Sequence, residues 1–102
     1  MATNRLEILK SMAAANPNDT FARYGLAMEY RNTGDLEAAV REFQELMAAH
    51  PDYAATYLHA GQTLARLGRT EEAKAVYRQG IEVTTRIGDA HARSELEAAL
   101  SL

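Results

Sequence analysis

An all-α chain of about six helices, paired as antiparallel hairpins, is predicted by three observations. Twenty of the 102 residues are alanine, and β-branched residues are sparse and nowhere alternate with polar ones over the length of a strand. Nearly every glycine falls outside an apolar run, where it ends an element instead of interrupting one. Shifting the sequence by 34 aligns Pro17 with Pro51, Gly34 with Gly68, Glu37 with Glu71, Ala39 with Ala73 and Phe43 with Tyr77. A two-helix unit of that length cannot bury its apolar face alone, so it must stack on the next copy.

The helices are cut at Asn16-Pro17-Asn18, Asn32-Thr33-Gly34-Asp35, His50-Pro51-Asp52, Leu67-Gly68-Arg69 and Ile87-Gly88-Asp89. Gly34, Gly68 and Gly88 stand where a helix end wants a left-handed residue. Asp35, Asp52 and Asp89 follow as expected N-caps of the next helix. Connections this short force neighbouring helices antiparallel. The helix beginning near Thr70 is expected to run on to Arg86 or Ile87, because Thr85 stands where the shift would place a third proline. In the last helix Ala92, Leu96, Ala99 and Leu100 form one apolar stripe, with Arg93, Glu95 and Glu97 facing away. Glu37 with Arg41 and Glu82 with Arg86 have the spacing of exposed pairs along one helix, and Glu71-Glu72 complement the positive end of a helix dipole.

In order, these residues resemble the tetratricopeptide repeat family. The first copy reads Leu26, Ala27, Tyr30, Gly34, Ala39, Phe43, Leu46, Pro51, and the second Tyr57, Ala60, Gly61, Leu64, Gly68, Ala73, Tyr77, Gly80. Three positions depart from the pattern: Arg23 replaces the leading large residue, Leu64 the tyrosine and Thr85 the closing proline. Leu9, Met12 and Pro17 match Phe43, Leu46 and Pro51, so the first helix resembles the second half of a further copy. The resemblance implies a short right-handed superhelix forming one domain. Its expected divisions are an N-terminal half-repeat helix at 1–17, repeats at 18–51 and 52–87, and a capping helix at 88–102.

What such a stack does is implied by the resemblance: a scaffold or adaptor that takes a segment of another protein on its concave face. Carrying the family's groove stripe over gives Phe21, Tyr24, Met28, Arg31 and Asn32 in the first copy. In the second it gives Ala55, Leu58, Gln62, Ala65 and Arg66. Tyr24, Met28 and Leu58 would be apolar anchors, with Arg31, Gln62 and Arg66 selecting polar groups. The chaperone-binding subgroup's carboxylate clamp is absent, since Tyr24 and Met28 occupy its first-repeat places and His59 and Gln62 stand near the second. Ala27, Ala39, Gly61, Ala73, Tyr30, Phe43 and Tyr77 are expected in the core.

Composition narrows the alternatives. Eleven Lys and Arg against fourteen Asp and Glu leave a net charge of -3, without the basic field that nucleic acid or an anionic membrane requires. Without cysteine there is no disulfide, thiolate metal site or Cys nucleophile. His50, His59 and His91 are scattered without metal-binding spacing, so structural or incidental roles are expected, and no catalytic motif, metal or cofactor is assigned. Arg5, Glu7 and Lys10 interrupt the apolar run a signal peptide would need, which predicts a cytoplasmic chain. The rival reading is a structural homo-oligomer assembled through the terminal helices, favoured if Ile8 is left exposed, and a piece of a longer repeat protein is a third.

Overall fold

A computed structural model describes residues 4–102, which fold into six α-helices. These are α1 (Arg5–Ala15), α2 (Thr20–Asn32), α3 (Leu36–Ala49), α4 (Ala55–Arg66), α5 (Thr70–Ile87) and α6 (Ala90–Leu100). Each packs on its sequence neighbour, and α4 also meets α6, so the chain forms an elongated stack of 45 × 28 × 19 Å.

Three of the six glycines act as the expected stops, whereas Gly25, Gly61 and Gly80 lie inside α2, α4 and α5. Gly34, Gly68 and Gly88 have φ of 90°, 80° and 77°. The amide that follows each one closes the same six-residue turn: Asp35 N–H to the Tyr30 carbonyl, Arg69 to Leu64 and Asp89 to Thr84. With no proline at 85, α5 runs through Arg86 to Ile87.

Capping departs from expectation at one place. Asp35 and Asp89 accept from the amides of Ala38 and Ala92, and Asp19 and Asn4 cap α2 and α1 in the same way. Asp52 does not cap α4. Two more residues precede that helix, which is entered through backbone turns from Tyr53 and Ala54. The Asp52 carboxylate instead accepts from Arg86 at 2.8 Å. The expected pairs along one helix are likewise replaced by longer-range pairs: Glu37 of the first repeat meets Arg69 of the second at 3.2 Å, and Arg86 meets Asp52 at the other end of its own repeat. A partner across a helix end competes with one four residues away and here wins.

The core is built from aromatic rings set against small residues. Phe43 is fully buried among Ala27, Ala39, Leu46 and Ala60. In the next repeat Gly61 takes the place of Ala27, and a methyl group there would drive into the ring of Tyr77. Gly80 makes room in the same manner for Tyr57, whose Cβ would stand 2.6 Å from an added carbon, and for Leu96 of α6. Leu96 is buried, while Ala99 and Leu100 pack half-buried on the same cluster, so the α6 stripe faces inward as expected.

Arg23 and Tyr57 occupy equivalent places in the two repeats, and both close the turn six residues upstream. The Tyr57 hydroxyl donates to the Pro51 carbonyl at 2.6 Å, and Arg23 Nε donates to the Pro17 carbonyl at 2.8 Å. Different chemistry thus makes one contact, which explains why the Arg23 departure is compatible with the fold.

Gly61→Ala is expected to destabilise the chain by about 1–3 kcal/mol through overpacking against Tyr77, measured as a lower midpoint in urea unfolding. Tyr57→Phe, which keeps the ring and removes only the bond to Pro51, is expected to cost about 1 kcal/mol in the same assay.

Candidate functional site

Half of α4 is committed to the core: Thr56, Tyr57, Ala60, Gly61, Thr63 and Leu64 are buried. The remaining face consists of Ala55, Leu58, His59, Gln62, Ala65 and Arg66, which is the expected stripe with His59 added. Leu58 is half-buried and packs against the core cluster, so less of it is open than its assignment as an anchor supposes. Arg66 is exposed and pairs with no carboxylate among the described residues, and Gln62 is half-buried.

The residues expected on α2 divide into two groups. Phe21, Tyr24, Met28 and Asn32 line an open groove of about 240 Å³ shared with Arg5, Gly25 and Glu29. Phe21 is 75% exposed, so it is not packed away against α1. Arg5 bonds Glu29 at 3.4 Å across this groove. Arg31 turns instead towards α4.

There the two helices meet through His59. The Arg31 guanidinium donates to His59 Nδ1 at 2.8 Å. Arginine has no acceptor, so Nδ1 carries a lone pair and the proton of the neutral ring sits on Nε2. The Tyr24 ring packs edge-on against His59, Tyr53 and Phe43, with centroids 5.7, 5.4 and 6.4 Å away. Burial holds the His59 pKa below its ordinary value, and the Arg31 charge lowers it further against a smaller opposing pull from Glu95 of α6. Burial also raises the Tyr24 phenol, with Tyr53 adding to the shift and Arg31 opposing it.

Sequence reasoning classed His59 with two scattered histidines and missed its part in this junction. The signal was its position: it lies three residues before Gln62, within the same helical stripe. What spacing could not show is that Arg31 crosses from the neighbouring repeat to meet it.

The described residues contain no group of three or more His, Asp or Glu side chains placed to hold a metal ion. No helix among them is long and apolar enough to cross a membrane. The arrangement sets half-buried aromatic and thioether groups beside a cation.

A family model described as tetratricopeptide repeat matches residues 30–100. A TPR repeat-containing protein of Pseudomonas aeruginosa is 27% identical over 95 residues, covering 93% of this chain and 90% of its own length. The crystal structure of a tetratricopeptide repeat domain protein from Salinibacter ruber is similar with a TM-score of 0.74 and 41% identity, over 80% of this chain and 91% of that one. YrrB, described as a TPR protein with an unusual peptide-binding site, is 26% identical with a TM-score of 0.82, over 95% of this chain and 47% of its own.

Protonating His59 would set an N–H against the Arg31 donor, so the junction favours the neutral ring. Because the folded pKa lies below the unfolded value near 6.5, the unfolded chain takes up the proton first as pH falls. This contribution to stability is complete above about pH 6.5 and is lost as pH drops from there to the folded value. Urea midpoints measured between neutral and mildly acidic pH should fall less steeply for His59→Gln than for the wild type.

Proposed function

Because the chain belongs to the tetratricopeptide repeat family, we propose that it is a protein-protein interaction module, an adaptor or scaffold that takes a segment of another protein on its α2–α4 surface. The observation that carries this reading is the Tyr24–His59–Arg31 junction, which joins two repeats into one surface holding both an aromatic group and a guanidinium. Half-buried aromatic and Arg side chains are the groups from which binding hot spots are made. The peptide-binding site that gives YrrB its description supports the same use of this fold.

In this reading Phe21, Tyr24, Met28 and Asn32 contact one stretch of the segment from their groove, and Leu58, Gln62 and Arg66 another. Arg31 stands between them. The repeats at 18–51 and 52–87, with flanking helices at 1–17 and 88–102, form the unit that presents this surface. The reading places the protein in the cytoplasm and requires neither a catalytic residue nor a cofactor.

Self-assembly through α1 is the second reading, favoured by Ile8 and Met12, which are 48% and 40% exposed on that helix. Sedimentation across a concentration series separates the two, since a monomer at tens of micromolar rules out assembly as the main role.

Tyr24→Ala combined with Arg66→Ala is expected to weaken binding of the segment captured by the wild type by about tenfold or more, while circular dichroism shows unchanged helicity. Equal affinities in a calorimetric titration would remove these two residues from the site.

A further inference from the structure

Charge is not spread evenly over this stack. Together α2 and α4 carry Arg23, Arg31 and Arg66 against a single acid, Glu29, which is already paired with Arg5. The neighbouring α3 carries Glu37, Glu42 and Glu45 against Arg41. In a chain of net charge -3, the surface assigned above to a partner therefore carries the cations Arg31 and Arg66, while Arg23 is turned to Glu42 of α3.

Arg31 is the pointed case. Arg5, Arg23, Arg69, Arg86 and Arg93 each lie beside a carboxylate: Glu29, Glu42, Glu37 and Glu72, Asp52, and Glu97 respectively. Arg41, Arg66 and Arg78 have none among the described residues but are exposed, whereas Arg31, also without one, is half-buried, and its hydrogen bond goes to an uncharged imidazole nitrogen. A guanidinium has five N–H donors in a planar fork, and one contact to His59 leaves most of them open to a carboxylate, which can take two in parallel. Partial burial beside Tyr24 raises the strength of such a pair over one in open water.

We propose that the α2–α4 surface selects an acidic peptide segment and that Arg31 is the specificity-determining side chain that binds its Asp or Glu. This rests on the interaction reading and adds the chemistry of the partner. Glu95 of α6 is the acid whose charge reaches His59, and it lies 3.5 Å from His91 without an ion pair to Arg31. It therefore repels an incoming carboxylate, so removing its charge should strengthen binding.

The test is selection from a displayed library of random dodecapeptides with the full chain, Arg31→Gln and Glu95→Gln, each checked for wild-type helicity. The wild type should enrich Asp or Glu at one position alongside apolar ones, and Arg31→Gln should keep the apolar preference alone. In anisotropy titrations, replacing that acid by its amide in the consensus peptide should cost the wild type about tenfold in affinity and cost Arg31→Gln little. Glu95→Gln should bind the acidic peptide more tightly. Should Arg31→Gln fail to fold, Arg31→Lys keeps the charge without the fork and should lose part of the discrimination. Enriched peptides with no acidic position overturn this proposal and leave the interaction reading standing. Acid selection that persists in Arg31→Gln overturns the role of Arg31. If no peptide is enriched, the interaction reading falls and this proposal falls with it.

Discussion

Aromatic rings seated over positions that lack a large side chain hold the rest of this structure in place. Phe43 rests among Ala27 and Ala39, Tyr77 against Gly61, and Tyr57 with Leu96 over Gly80. Each seat lets two helices approach closely enough to exclude water along their crossing. Phe43 also packs the first repeat on the second, in one cluster with Ala60. Tyr57 is packed over Gly80 of the following helix, and its hydroxyl anchors the turn before its own helix. That placement brings His59, two residues further along α4, within a hydrogen bond of Arg31 on α2.

The face that α4 turns outward follows from the same seats. Six of its twelve residues are buried, and they are the ones facing the layers on either side. The stripe from Ala55 to Arg66 is what remains. The surface that α4 can offer is thus defined by subtraction, since the rest of that helix is buried.

Much of this is legible in the sequence because it depends on short-range chemistry. Left-handed glycine stops at Gly34, Gly68 and Gly88 need only local conformational freedom, and periodicity alone orients the α6 stripe. The shift of 34 marks Phe43 with Tyr77 and Ala39 with Ala73 as equivalent positions before any contact is known. What escapes is set by contacts that reach beyond a single helix. Asp52 reads as a cap because aspartate before a helix usually is one, yet two extra residues move it out of reach and Arg86 claims it. Glu37 and Arg41 read as a pair until Arg69 arrives from the next repeat. Arg23 reads as a defect because the family pattern encodes size, whereas the fold requires a donor that reaches the Pro17 carbonyl.

Arg31 differs from these cases in a way that separates structure from function. Five arginines of this chain lie beside a carboxylate, Arg69 and Arg86 doing so across helix ends, and Arg41, Arg66 and Arg78, which do not, are exposed. Arg31 is half-buried, as Arg69 is, and so has as much to gain from a counter-charge, yet it is held by a neutral ring whose own protonation it opposes. Burying a charge without an opposite one costs free energy that the protein could recover with one acidic residue on α4, and α4 has none. Local rules are broken in this way mainly where a ligand supplies the missing group. On the proposed selection of an acidic segment, the His59 contact holds the fork in position while leaving its charge unspent.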